Sequence, residues 1–146
     1  MITQAPRLFR ILLVDDHEDD LELVRRAVER CGCSGLELVT ANDGLDAIEK
    51  LESLKLEDRL PDLLLVDLNM PRLDGRGLLR HVRAQELIAP LPVLMLSTSD
   101  QPTDIVACYR DGCNAYFKKP LEFRDLVALV EGIFIHWTDL VHLPNG

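Results

Sequence analysis

The stretch LLLVDLNMPRLDG, Leu63 to Gly75, decides the fold. Four consecutive apolar residues, Leu63 to Val66, stop abruptly at Asp67, and Pro61 punctuates their entry. An apolar run this short, without alternation, is too brief for a helix and reads as a strand covered on both faces. Asn69-Met70-Pro71 and Asp74-Gly75 carry turn chemistry. Beyond them Leu78, Leu79 and Val82 recur at helical spacing. The unit is therefore a buried strand, a loop opened by a carboxylate, and a helix.

The same unit repeats on either side. Phe9 to Val14 precedes a helical stripe of Leu21, Val24, Val28 and Cys31. Leu36 to Ala41 is a weaker strand, followed by a helix marked by Leu45, Ile48 and Leu51 and widened by Ala47 and Leu54. Val93 to Leu96, set up by Pro90 and Pro92, leads to a helix from near Pro102 to Gly112, a C-cap type residue. Ala115 to Phe117 is the last strand, and the last helix runs from after Pro120 to about Trp137. Five strand–helix units predict an α/β, doubly wound (βα)5 three-layer sandwich with a parallel five-stranded sheet. The expected strand order is 2-1-3-4-5, the flavodoxin-like order, with the active crevice at the carboxyl ends of the strands. We expect residues 1–8 to be an N-terminal extension, 9–137 the domain, and 138–146 a loose tail containing Pro144 and Gly146.

Bulk properties narrow the function. The 146 residues suit one domain, and 47% apolar content is enough for a full core. A net charge of −9 disfavours a nucleic-acid partner, because an acidic surface repels phosphate backbones. No apolar run is long enough to cross a membrane, and the first ten residues lack a signal-peptide core. These readings place the chain in the cytoplasm, with Cys31, Cys33, Cys108 and Cys113 reduced. Their spacing matches no zinc signature; they read as small apolar residues, with a Cys31–Cys33 redox pair as the sharper alternative.

The strand ends carry the chemistry. Asp15 and Asp16 follow the first strand, Asp67 the third, Ser97 and Thr98 the fourth, and Lys118 and Lys119 the fifth. Three converging carboxylates repel one another and raise each other's pKa unless a hard divalent cation sits among them. A carboxylate so neutralised is a competent nucleophile for phosphoryl transfer, with a lysine ammonium and a hydroxyl to meet the phosphoryl oxygens. Taken singly, each residue has a plainer reading. Asp15-Asp16 could be a polar helix-capping turn, Asp67 a solvated strand-end charge, and Glu18-Asp19-Asp20 a match to the helix dipole. Lys118 reads as a solvated neighbour, and His17, His81, His136 and His142 form no metal-ligand pattern with one another.

Four segments, LLVDD (Leu12 to Asp16), LLLVDLNMPRLDG, VLMLSTS (Val93 to Ser99) and YFKKP (Tyr116 to Pro120), resemble the receiver domain of two-component response regulators, the CheY-like family. The resemblance spans about Phe9 to Trp137. It implies that Asp67 is the phosphoacceptor. It also implies that Mg²⁺, with Mn²⁺ as a substitute, is held by Asp16, Asp67 and the backbone carbonyl of Asn69, with Asp15 in support. Lys119 would pair with the carboxylate or phosphate, Ser97 would be the switch hydroxyl, Tyr116 the aromatic that reports the switch, and Lys119–Pro120 a cis peptide. The partners implied are a sensor histidine kinase and a downstream phosphotransfer or effector protein, with no enzymatic activity beyond self-catalysed phosphorylation and dephosphorylation. The closing stretch FIHWTDLVHLP, Phe134 to Pro144, resembles regulators partnered with cyanobacterial and bacterial phytochromes.

Two departures stand out. Ser97 occupies a position where the family more often has Thr, and Thr98 one where Ala is common; the bulkier Thr98 could shield an acyl phosphate from water. Leu126, Leu129, Val130, Ile133 and Trp137 form one stripe of the last helix, which Val127 and Phe134 widen beyond what a sheet face needs. That stripe reads either as a helix covered by its own tail or as a homodimer interface of helix five and the C-terminal extension. A flavin carrier on the same topology would need a glycine- and hydroxyl-rich phosphate loop where Asp15 to Asp20 stand. An aspartyl-phosphate phosphatase would need a second aspartate two residues after the first, which Asp16-His17-Glu18 lacks.

Overall fold

The computed structural model describes residues 8–140. In chain order the elements are β1 (Phe9–Val14), α1 (Glu18–Cys31), β2 (Leu36–Ala41), α2 (Gly44–Leu56), β3 (Leu63–Val66), α3 (Gly75–Ala84), β4 (Val93–Ser97), α4 (Pro102–Asp111), β5 (Ala115–Lys118) and α5 (Phe123–Ile135). All four strand pairings are parallel, and the order is β2-β1-β3-β4-β5, as the alternation predicts.

Strand periodicity divides the core into two layers. Leu12, Val14, Leu64, Val66, Val93 and Met95 face α2 and α3, meeting Ala47, Leu51, Leu78, Leu79 and Val82. Ile11, Leu13, Leu63, Leu65, Leu94 and Leu96 face the other way, onto Leu21, Val24 and Ala27 of α1 and Leu126, Val130 and Ile133 of α5. Alternate residues of each strand thus serve opposite layers, so the strands are apolar throughout.

Helix ends fall where the sequence punctuates them. The Asp74 carboxylate accepts from the Gly77 N–H and caps α3, and the Asp43 carboxylate does the same for α2 through Asp46 N–H. Gly112 closes α4 in the left-handed region at φ 104. Gly75 is required by close approach, since a Cβ there would lie 2.3 Å from the Asp67 carbonyl oxygen. That contact seats the start of α3 directly under the loop that follows β3.

Several expectations are corrected. Leu45 points outward, because α2 presents Gly44, Ala47 and Leu51 to the interior. A Cβ on Gly44 would meet the Leu73 carbonyl at 2.5 Å, and this close seat sets the rotation of the helix. The Lys119–Pro120 peptide is trans, as is every peptide bond among the described residues. The trans form is the intrinsically favoured one, and Lys119 is instead held by its own N–H, which donates to Ser97 O at 2.7 Å. Cys31 and Cys33 are bonded to each other rather than reduced: the left-handed turn at Gly32 brings their Cα atoms to 5.4 Å, inside the span of a disulfide. Cys108 and Cys113 are free and buried, as expected of small apolar residues. After Ile135 the chain continues through a π-helical turn, His136–Leu140, where a loose tail was predicted from Thr138 onward. The rest of that tail, 141–146, and the N-terminal residues 1–7 lie outside the described residues.

Candidate functional site

The carboxyl ends of β1, β3 and β5 bring Asp15, Asp16, Asp67 and Lys119 together. Asp67 leaves β3 with its N–H on the Val14 carbonyl at 2.8 Å, and its side chain is buried. Asp15 is likewise buried; its Oδ1 accepts the His17 N–H at 3.0 Å and so shapes the turn into α1. Lys119 crosses from the end of β5, donating to Asp15 Oδ2 at 2.8 Å and to Asp20 Oδ2 at 3.0 Å. Its Nζ stands 3.4 Å from Asp67 Oδ1.

The electrostatics follow from this crowding. Burial pushes the Asp67 carboxyl up to about 6; the Lys119 charge opposes the rise and the Asp15 and Asp16 charges add to it. For Lys119, burial works against the ammonium, but the Asp15, Asp67 and Asp20 carboxylates outweigh it and hold the group well above the ordinary lysine value. One ammonium therefore serves a cluster with more negative charge than it can neutralise.

A cation fits the remainder. Oxygens of Asp15, Asp16 and Asp67 and a ring nitrogen of His17 lie within 4.8 Å of one another. Asp16 Oδ1 is buried with no hydrogen-bond partner among the described residues. An orphaned carboxylate oxygen beside two others is the donor set that a hard divalent ion takes. His17 Nδ1 stands 3.2 Å from that same oxygen. Nothing in the chain order signals this, because an imidazole next to two aspartates looks like any surface histidine.

The other predicted residues are placed around this cluster. Ser97 ends β4 fully buried, and its Oγ accepts the Ser99 N–H at 3.1 Å. Thr98 is exposed beside it. Tyr116 on β5 is half-buried and donates its hydroxyl to the Ser99 carbonyl at 2.9 Å, tying β5 to the loop after β4. Asn69 is exposed between buried Leu68 and Met70, so the loop that carries its carbonyl is anchored on both sides. Lys118 is exposed and pairs with Asp100 at 3.0 Å, away from the cluster. The sequence reading takes Asp20 only as part of a helix-dipole match and does not single out Asp43. Asp20 lies one helical turn beyond Asp16, a spacing that could have flagged it.

Comparison with known proteins agrees with this arrangement. The response regulator receiver domain family matches residues 11–131. The "Probable methanogenesis regulatory protein FilR2" of Methanothrix harundinacea is 35% identical over 93% of this chain and 88% of its own length. The response regulator Rcp1 of Synechocystis is 34% identical over 92% of each. Its Mn²⁺-bound form superposes with a TM-score of 0.78, at 33% identity, over 95% of this chain and 99% of that one. The phosphorylated cyanobacterial phytochrome response regulator RcpA superposes with a TM-score of 0.85 at 32% identity, over 94% of this chain and 99% of that one. No helix among the described residues is long and apolar enough to cross a membrane. With this fold, this acidic strand-end cluster and these relatives, the chain belongs to the response regulator receiver domain family, the phosphorylation-controlled modules of two-component signalling.

Proposed function

We propose that Asp67 accepts a phosphoryl group from a sensor histidine kinase, and that the domain signals through the surface change that follows. The observation that carries this reading is the convergence on Asp67. It is a buried carboxylate 3.4 Å from the Lys119 ammonium, with Asp15 and Asp16 completing a cation-sized cluster. Asp16, Asp67 and the Asn69 carbonyl would hold Mg²⁺, with Asp15 in support; Mn²⁺ would substitute, as in the solved form of Rcp1. When bound, the ion would offset the charge of Asp67 and of the incoming phosphoryl group.

The chain's own residues do the rest. An Asp67 carboxylate oxygen attacks phosphorus, forming a P–O bond as the P–N bond to the kinase histidine breaks; the electron pair leaves with the imidazole, which takes a proton from water. Lys119 meets one phosphoryl oxygen with its ammonium, and the Ser97 hydroxyl gives up the Ser99 N–H to donate to another. That movement loosens the loop which Tyr116 holds through the Ser99 carbonyl, so Tyr116 changes rotamer and reshapes the α4–β5–α5 surface. Water then hydrolyses the acyl phosphate without a further enzyme.

The likeness to RcpA and Rcp1 supports a phytochrome-type kinase as donor, a cytoplasmic setting, and a phosphotransfer or effector protein downstream. A homodimer through α5 is supported by an exposed apolar groove of Phe117, Leu129, Gly132 and Trp137, with Ile135 44% exposed nearby. Phe134 does not belong to that surface: its ring stands edge-on to Phe9, with centroids 6.2 Å apart. Ile135→Asp is therefore the clean probe, and light scattering should show a dimer reduced to monomer. The receiver assignment itself is tested by intact-mass measurement after Mg²⁺ and acetyl phosphate. We expect a gain of one phosphoryl group, lost in Asp67→Asn; an unmodified wild-type protein refutes it.

A further inference from the structure

Lys119 has three N–H bonds to give, and two are spent away from Asp67, on Asp15 Oδ2 at 2.8 Å and Asp20 Oδ2 at 3.0 Å. The two acceptors differ. Asp15 is buried at the floor of the cluster, whereas Asp20 rises from the first turn of α1 with its side chain 37% exposed. Asp20 is also not one of the side chains whose donor atoms gather at the cation cluster. Its nearest cationic partner is the lysine, whose Nζ also stands 3.4 Å from Asp67 Oδ1; His17 Nδ1 is farther from the Asp20 carboxylate, at 3.8 Å.

We propose that Asp20 is a positioning residue that competes with the phosphoryl group for Lys119. In the unphosphorylated protein it holds the ammonium on the α1 side of the cluster. When Asp67 carries a phosphoryl group, the more highly charged oxygens draw the ammonium across, and the Asp20 bond is given up. Asp20 thus weakens the modified state by the free energy of that lost bond. The inference rests on reading Asp67 as the phosphoacceptor and Lys119 as its ammonium partner.

The test uses beryllium trifluoride, a phosphoryl mimic that coordinates a carboxylate oxygen, titrated into the full chain at saturating Mg²⁺ and followed by ¹⁹F NMR. Asp20→Asn should bind it roughly three- to tenfold more tightly than wild type, a gain the size of one partly exposed ion pair. Asp20→Glu, which restores an acceptor, should fall back toward wild type. Asp19→Asn removes the same charge from the adjacent exposed position and should bind like wild type. Partial misfolding weakens binding, so a tighter complex cannot come from general damage. Equal affinity of wild type and Asp20→Asn overturns the inference, as does an equal gain in Asp19→Asn. The underlying reading fails separately, if wild type does not bind the mimic or if Asp67→Asn binds it as well as wild type does.

Discussion

Arg72 reaches from the loop after β3 to the start of α2, placing its Nε 2.6 Å from Asp43 Oδ2. The pair is asymmetric. Asp43 is buried, caps α2, and is held below the ordinary carboxylate value by the Arg72 guanidinium; Arg72 is exposed and adopts a left-handed backbone at φ 67. Beside it the Gly44 N–H donates to the Leu73 carbonyl at 3.2 Å. Two contacts thus brace the segment that leads from Asp67 through Asn69 into α3.

Loosening this brace should weaken the cation site. Arg72→Gly removes the ion pair while accepting the left-handed backbone without strain. We expect its Mg²⁺ affinity, measured by calorimetry, to fall about threefold with only a small drop in the unfolding midpoint, as Arg72 lies on the solvent side of the pair and water can take its place beside Asp43. Asp43→Ala also loses the helix cap and should cost about 1–2 kcal/mol in urea unfolding. Unaltered Mg²⁺ affinity in both variants would contradict the bracing role.

Asp67 makes the metal-free protein sensitive to pH. Its folded value, about 6, lies above its ordinary 3.8, so the folded state holds this proton more tightly than the unfolded chain. The resulting stabilisation is complete below pH 3.8 and is lost as pH rises through 6. In EDTA at pH 7, Asp67→Asn should therefore be more stable than wild type, by at most about 3 kcal/mol. At pH near 3.5 the two should converge. Adding Mg²⁺ should narrow the gap at pH 7, since only wild type gains from binding it. Urea titrations across this range check the sign.

Arg83 is a structural bolt. Its guanidinium donates to the carbonyls of Gly112, Ala89 and Leu91 and to Asn114 Oδ1, joining α3 to the ends of α4 and the β4 approach. Lysine cannot reproduce that fork. Arg83→Lys should destabilise the fold by about 1–3 kcal/mol, because carbonyls shielded from water lose their donors. A change below 0.5 kcal/mol, on the order of an ordinary surface substitution, would show that water replaces the guanidinium.

The four cysteines should separate into two chemical classes. Burial pushes the Cys108 thiol up to about 11 and raises Cys113 as well, so neither offers much thiolate near neutrality. Cys31 and Cys33 are bonded to each other at the end of α1. Native protein at pH 8 should react slowly with a chromogenic disulfide reagent. After mild reduction two thiols should react quickly, and the other two only on unfolding. Fast labelling of untreated native protein would contradict this assignment.

The sequence by itself determined the layers and the edge. Apolar runs of four to six residues, alternating with amphipathic stretches, dictate a covered parallel sheet, and the residues just beyond β1, β3 and β5 are then obliged to share one rim. Those periodicities are local, which is why they can be read along the chain. Tertiary structure alone decided which side chains on that rim touch. Lys119 prefers Asp15 and Asp20 to Asp67, Arg72 finds Asp43, and Phe134 finds Phe9, across separations that no periodicity spans. The direction of Leu45 and the trans Lys119–Pro120 peptide belong to the same class. Each depends on how one packed element is rotated against another, and a difference of an ångström there chooses between neighbouring partners of equal chemistry.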